Sequence, residues 1–353
     1  MGASDDIRRQ VELATRQGVP GYGVSLAVDP VGANRGSYSR GQRFRLTFDS
    51  GIVEAYLKIH CRRGRGFEQD CLLWAEEEFR LLSGLHEMAP SSAPLAVVKP
   101  LVLIPSLPGI LLERHPGVTL NSLLQRGRLG LGSGLAAEEL RGIYRLAGES
   151  LRQLHGLLAE GTPLRMKLER FEILEPGLDS VLAETEGMLD HVLDNCRADH
   201  RAVVESAYRY ARRAFLDAVE RPFPRVGLHG DFTPVNMFVH QGRLTFFDFV
   251  NFHLGHPLED VGRFLSYTRF LRKDPLSPAG REVRPLCEAF MEGYGLEGWR
   301  SNPVLLLFFQ WAMFRTLSGG LRFQSWPWPL STLYVGAMRR ALDGWIAEGM
   351  GLP

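Results

Sequence analysis

The 353-residue chain balances 41 Lys and Arg against 40 Asp and Glu, a formal net charge of +1, which excludes a nucleic-acid binder working through a broad basic face. With 45 % hydrophobic and 23 % charged residues it has the composition of a globular protein, not of a disordered or fibrous one, and its length leaves room for two domains. No run reaches the roughly 18 apolar residues of a membrane span, the four cysteines (Cys61, Cys71, Cys196, Cys287) form no CxxC pair, and MGASDDIRRQ lacks an apolar signal core, so reduced thiols in a cytoplasmic protein are the expectation.

In chain order, Asp5 to Gln17 predicts a short polar helix ended by Gly18 and Pro20, an extension over residues 1–20. Val24–Val28, Arg43–Phe48 and Val53–Ile59 read as strands, the last two joined by the turn signal Asp49-Ser50-Gly51. Between the first two lies a Gly- and Ser-containing segment, 32–41, that does not match G-x-G-x-x-G and reads either as a flexible surface hairpin or as a loop over phosphates. A helix is predicted from about Phe67 to His86, with Trp74, Leu81, Leu82 and Leu85 on its apolar side. Val97–Ile104 and Gly109–Glu113 then read as two more strands. After Pro116-Gly117 the pattern turns helical near 137–159, 178–195, 199–220, 257–272, 281–294, 302–318 and 330–348. Strand-like runs at 225–250 interrupt it, and Gly127–Gly134 reads as a loop. The natural division sets residues 1–115, a small sheet with one main helix, apart from 116–353, a mostly helical part.

The segment Leu228 to Phe249, LHGDFTPVNMFVHQGRLTFFDF, carries the chemistry. Asp231, Asn236 and Asp248 stand at fixed offsets between its short β-type runs. Phosphoryl transfer needs one carboxylate to orient and deprotonate a hydroxyl. It also needs an amide and a second carboxylate to hold the metals that bridge the nucleotide phosphates. The protein-kinase pattern H-R-D-x-x-x-x-N followed by D-F-G is varied here, with Gly230 in place of Arg and Val250 in place of the last Gly.

This variant resembles the aminoglycoside phosphotransferase and choline kinase superfamily. The resemblance implies an α+β, two-lobed, protein-kinase-like fold: a small antiparallel-sheet N-lobe that binds nucleotide, and a larger helical C-lobe. The catalytic loop would occupy 228–250 and the acceptor-binding helices 257–350. It further implies ATP and Mg2+, with Asp231 as the base facing the acceptor hydroxyl and Asn236 and Asp248 as metal ligands. A cation on the α/β-phosphates must itself be held by an anion. Lys58, in the strand pattern Ala55-Tyr56-Leu57-Lys58-Ile59, is the only lysine before Lys99. Glu76, Glu77 and Glu78 compete as its partner. Glu78 fits best, because apolar Leu81, Leu82 and Leu85 follow at +3, +4 and +7, and Glu77 remains open. Leu111-Leu112-Glu113-Arg114-His115-Pro116-Gly117 resembles the family's interlobe hinge, where the Glu113 carbonyl and His115 amide would meet a purine edge. His155, His229 and Asp260, the last in Gly255-His256-Pro257-Leu258-Glu259-Asp260, resemble supports of the catalytic loop.

The acceptor is the least defined. Glu259 to Pro353 holds 9 acidic and 11 basic residues, without the acidic cluster a polycationic aminoglycoside would favour. Phe308, Phe309, Trp311, Phe314, Phe323, Trp326, Trp328 and Tyr334 read either as helix core or as pocket lining. Arg315, Arg322, Arg339 and Arg340 are candidates to meet an anion. The expected partner is a small-molecule hydroxyl, a sugar or glycoconjugate, with choline, homoserine and methylthioribose as family alternatives. A silent kinase-like scaffold is disfavoured by the completeness of the set, and a protein kinase by the absence of an A-P-E segment. Oligomeric state is not indicated.

Overall fold

Apolar side chains at alternate positions of Phe44-Arg45-Leu46-Thr47-Phe48 give that strand one face to bury, and the sheet is built on this alternation. The computed structural model describes residues 3–35, 39–60, 68–89, 94–126, 135–168, 177–219, 222, 225–271, 283–321 and 330–353. Contacts divide the chain into two compact units, one built mainly from the chain through Gly117 together with Thr245–Val250, the other from the helical remainder.

In the first unit, β1 (Ala27–Arg35), β2 (Ser39–Phe48), β3 (Gly51–His60), β4 (Pro100–Ile104) and β5 (Gly109–Glu113) form an antiparallel sheet in the order β1-β2-β3-β5-β4. Phe44, Leu46, Ala55, Leu57 and Leu111 share one core with Val11. Val11 belongs to α1 (Ala3–Arg16). The helix expected in the polar extension is thus present and packed on this core. Ile7, Val11 and Ala14, at i, i+4 and i+7, form a narrow apolar stripe that seats the helix on this core. The segment 32–41 takes the hairpin form of its two readings. Its described residues are strand, with Asn34 opposite Gly41 and Arg35 opposite Arg40, because ladder hydrogen bonding carries the hairpin through residues that have no β signal of their own. Gly41 makes room for a neighbour: a Cβ there would lie 1.8 Å from the Tyr56 hydroxyl.

Leu57 enters the core, so Lys58 points to the other face, where α2 (Glu68–Met88) packs against β3, β4 and β5. Val97, expected inside a strand, instead forms an isolated parallel bridge with Phe246. Phe246 N–H donates to the Ala96 carbonyl and accepts at its own carbonyl from Val98 N–H, at 2.8 and 3.0 Å. These bonds bring Thr245–Val250 back to the sheet, a return that no local sequence signal announces.

The second unit holds nine helices among its described residues: α3 (Leu120–Arg126), α4 (Ala137–Leu157), α5 (Pro163–Leu168), α6 (Leu178–Asn195), α7 (Ala198–Ala218), α8 (Leu258–Leu271), α9 (Val283–Tyr294), α10 (Pro303–Leu321) and α11 (Leu330–Ala347). Its short strands are β6 (Val118–Thr119), β7 (Val226–Leu228), β8 (Met237–His240) and β10 (His253–Gly255). β7 pairs with β10 and β6 with β8, both antiparallel. β9 (Arg243–Phe246) follows β8 through Gln241-Gly242, whose φ values of 50° and 73° match a tight hairpin turn. Phe308, Phe309, Trp311 and Phe314 are core: Trp311 is only 3 % exposed and the three phenylalanines not at all. The Gly127–Gly134 loop, Arg322, Phe323, Trp326 and Trp328 lie outside the described residues, as does the Tyr334 side chain. No described helix is long and apolar enough to cross a membrane.

Glycines set two of the helix crossings. A Cβ at Gly148 of α4 would lie 2.0 Å from the Phe290 carbonyl oxygen of α9, and one at Gly262 of α8 would lie 2.7 Å from the Phe308 backbone of α10. Gly148→Ala is expected to destabilise the fold by about 1–3 kcal/mol through overpacking. Gly187→Ala, in α6 with nothing within 4 Å of an added Cβ, should be neutral or stabilising by up to about 1 kcal/mol. Urea denaturation midpoints of the two variants check the contrast.

Candidate active site

Two groups of polar side chains stand out, one in each unit. In the first, Lys58 Nζ donates to Glu78 Oε1 and Oε2 at 2.8 and 2.7 Å, and to Asp248 Oδ1 at 2.7 Å. Of the three competing glutamates, Glu78 is the one this lysine meets. Lys58 is 7 % and Glu78 2 % exposed. Burial alone would push the lysine down and the glutamate up; the Glu78 and Asp248 carboxylates instead raise Lys58, and Lys58 with His60 holds Glu78 well below the usual carboxylate range. His60 Nε2 lies 3.0 Å from Glu78 Oε2.

Glu78 Oε1 also accepts the backbone N–H of Phe249 at 2.9 Å. One carboxylate thus fixes both the lysine and the peptide that follows Asp248. Asp248 itself has a φ of 67°, a left-handed conformation costing a non-glycine residue about 1–2 kcal/mol. Such strain in a side chain still 38 % exposed marks a residue present for its carboxylate and not for its backbone.

In the second unit, the β7 strand ends at Leu228 and the chain turns through His229-Gly230-Asp231. Gly230 has a φ of 75°, and a Cβ there would lie 1.9 Å from the Asn251 carbonyl oxygen. That close approach is why glycine replaces the arginine of the protein-kinase pattern. Asp260, near the start of α8, holds the turn: its Oδ2 accepts His229 N–H at 2.8 Å and its Oδ1 accepts Gly230 N–H at 3.0 Å. His155 Nε2 lies 3.3 Å from the same carboxylate, and its Nδ1 lies 3.1 Å from the Tyr294 hydroxyl. Burial would raise Asp260, but His155 and the loop amides outweigh it and lower it. The His229 ring is buried, with Asp231 N–H donating to its Nδ1 at 3.4 Å.

Asp231 is fastened on two sides. Asn236, at the end of a short 3-10 turn (Pro234–Asn236), donates its Nδ2 to Asp231 O and Oδ2, both at 3.0 Å. Arg263 of α8 donates Nη2 and Nε to Asp231 Oδ1 at 2.9 and 3.2 Å. Because the Asn236 amide nitrogen is spent on Asp231, its Oδ1 is the atom left for a ligand. The Asn236 amide oxygen in the second unit and the half-exposed Asp248 carboxylate in the first are each a hard oxygen donor of the kind that suits Mg2+. No group of three His, Cys, Asp or Glu side chains forms a metal cluster among the described residues.

Sequence reasoning missed Arg263, His60 and the Phe249 amide. Each acts through a contact distant in sequence, and only Arg263 left a trace, as a cation one helical turn after Asp260. At the expected hinge, Glu113 N–H donates to the Lys99 carbonyl and its carboxylate accepts from Tyr22 Oη at 2.7 Å. His115 Nδ1 accepts Gly117 N–H at 3.1 Å, closing the turn.

Residues 41–301 match the model of the phosphotransferase enzyme family, and the chain belongs to that family. No curated protein sequence matches it. Solved structures share its fold. A choline/ethanolamine kinase family protein from Mesorhizobium loti aligns over 98 % of this chain and 97 % of its own, with a TM-score of 0.56 at 15 % identity. An amicoumacin kinase in complex with AMP-PNP and Ca2+ covers 97 % and 94 %, with a TM-score of 0.54 at 14 % identity. A streptomycin–ATP ternary complex of an aminoglycoside phosphotransferase covers 97 % of each chain, with a TM-score of 0.53 at 14 % identity. The fold is kinase-like, with a small antiparallel sheet and a larger helical portion.

Just beyond the turn, His253 Nε2 lies 2.9 Å from Glu259 Oε1. Burial lowers this imidazole, but Glu259 outweighs it and raises the pKa from 6.5 to about 9. The pair's stability is fully present below about pH 6.5 and is lost as pH rises through about 9. His253→Gln should therefore flatten the fall in stability across that alkaline window, as read from thermal midpoints between pH 6 and 10.

Proposed function

We propose that this phosphotransferase moves the γ-phosphate of Mg-ATP to a hydroxyl of a small molecule. The observation that carries the reading is the pair of side-chain networks just described. Each ties a chemically competent group to the partner it needs for phosphoryl transfer. Lys58, held by Glu78, would bind the α/β-phosphates. The Glu113 carbonyl and His115 amide would meet the purine edge. Asp231, fixed by Asn236 and Arg263, would orient the acceptor hydroxyl and take its proton. Asn236 Oδ1 and the Asp248 carboxylate would hold Mg2+, which when bound neutralises charge on the transferring phosphoryl group. His229, Asp260 and His155 would hold the loop in register.

Energetics favour a functional reading of the first network. Burying Lys58 with Glu78 is no efficient route to stability, since well-packed apolar residues of similar volume are often as good or better by about 1–4 kcal/mol. Two structural neighbours are complexes with ATP or AMP-PNP, which supports the same nucleotide here. A sugar or glycoconjugate hydroxyl is the acceptor we favour on charge balance, since Glu259 to Pro353 holds 9 acidic against 11 basic residues, a balance that does not suit a polycation. The aromatic residues at 308–314 lend this no support, because they are core.

Acceptor-dependent ADP release with Mg2+, measured over sugars, amino alcohols and aminoglycosides, tests the proposal. Asp231→Asn is expected to lower kcat by about 10²–10⁴-fold while nucleotide still binds. Turnover unaffected by Asp231→Asn would overturn the assignment.

A further inference from the structure

Arg315 of α10 is a partly buried cation that no described residue pairs. Its guanidinium carbon stands 5.2 Å from the Trp311 ring centroid, and the indole is itself fixed by its Nε1 donating to Glu184 Oε2 at 3.2 Å. Among the described residues no carboxylate or carbonyl forms an ion pair or hydrogen bond with Arg315. The other charges facing this region are already engaged. Arg263 is spent on Asp231 and Glu259 on His253, and Glu184 holds Trp311. Of the four arginines singled out in the sequence, Arg339 and Arg340 are exposed and Arg322 lies outside the described residues, whereas Arg315 is partly buried.

Its placement follows from the helix crossing. α8 and α10 touch backbone to backbone at Gly262 and Phe308. Arg263 is the next residue on α8, and Arg315 stands about two turns beyond Phe308 on α10. Burial and then Arg263 pull the Arg315 guanidinium below its ordinary value, against the opposing fields of Glu184, Asp231 and Glu259. A cation–π contact is worth only about 0.5–2 kcal/mol, and the ring offers no hydrogen-bond acceptor to the fork of N–H donors that the guanidinium presents. A second hand on Asp231 is not needed either, because Arg263 already makes two hydrogen bonds to it.

We propose that the acceptor carries an oxyanion, a carboxylate or a phosphate, and that Arg315 receives it beside the hydroxyl that Asp231 orients. This rests on the reading of Asp231 as the group facing the acceptor, and it narrows the substrate class to anionic hydroxyl compounds. A guanidinium presents a planar fork of donors that matches such a group.

The test is calorimetric titration of the full-length protein, with and without a non-hydrolysable ATP analogue. The ligands are matched: a sugar phosphate, the corresponding uronic acid, the neutral sugar and the amino sugar. The wild type should bind one or both anionic members at least about tenfold more tightly than the neutral parent, a gap of about 1.4 kcal/mol. The stronger of the two tells phosphate from carboxylate. Arg315→Gln should erase the preference and Arg315→Lys should keep part of it, with affinity for the ATP analogue unchanged in both. Three results would each overturn the proposal: neutral or amino sugars binding as tightly as the anions, a preference that survives Arg315→Gln, or a loss that falls on the nucleotide instead. Failure of the protein to bind the ATP analogue at all would count against the kinase reading and not against Arg315, since the anion preference is read from the acceptor titration without nucleotide.

Discussion

The buried carboxylate of Glu78 is the constraint on which the network of the first unit depends. It accepts from Lys58 and from the Phe249 amide, and so ties a strand, a helix and the strained turn at Asp248 to one point. An unpaired carboxylate at that depth would cost several kcal/mol, so the helix cannot rotate or slide without losing its partners. The left-handed backbone of Asp248 is tolerated because its neighbour on one side is anchored to Glu78 and its own carboxylate to Lys58. A three-charge cluster of this kind stabilises little in net terms. What it provides is position.

A parallel device operates in the helical unit. Asp260 offers both carboxylate oxygens to consecutive backbone amides at His229 and Gly230, and being on α8 it also sets where Arg263 lies. The loop and the cation that clamps Asp231 are thus placed by one short stretch of helix. Gly230 is required here by the Asn251 carbonyl, and Gly262 is required by α10. Backbone proximity, not side-chain variety, decides both positions.

These features differ in how legible they are from sequence. Lys58 could be read as facing away from the core because strand alternation is strict, and Glu78 could be singled out because the apolar residues after it fall on one helical face. Asp231 and Asn236 are five residues apart in one turn, so their meeting is a local matter. Arg263 and Asp231 are joined only through Asp260, and nothing local links residue 263 to residue 231. The return of Thr245–Val250 to the sheet depends likewise on backbone bonds to Ala96 and Val98. α1 reads as polar because its charged residues outnumber a stripe only three residues deep, and 32–41 leaves hairpin and phosphate loop open because ladder pairing needs no particular side chain. The aromatic residues of α10 show the limit from the other side: composition cannot tell a pocket wall from a core, and here they are core.

The most direct test of the central claim is the affinity for Mg-ATP of wild type and Glu78→Gln, with the fold of each checked by near-ultraviolet circular dichroism. The substitution keeps shape and removes charge, so Lys58 loses its main counter-ion and the Phe249 amide a strong acceptor. A rise in Kd of at least about tenfold, with the fold intact, is the result expected if Glu78 positions both elements for nucleotide. An unchanged Kd would contradict it, and would reduce the Lys58–Glu78–Asp248 cluster to a structural feature.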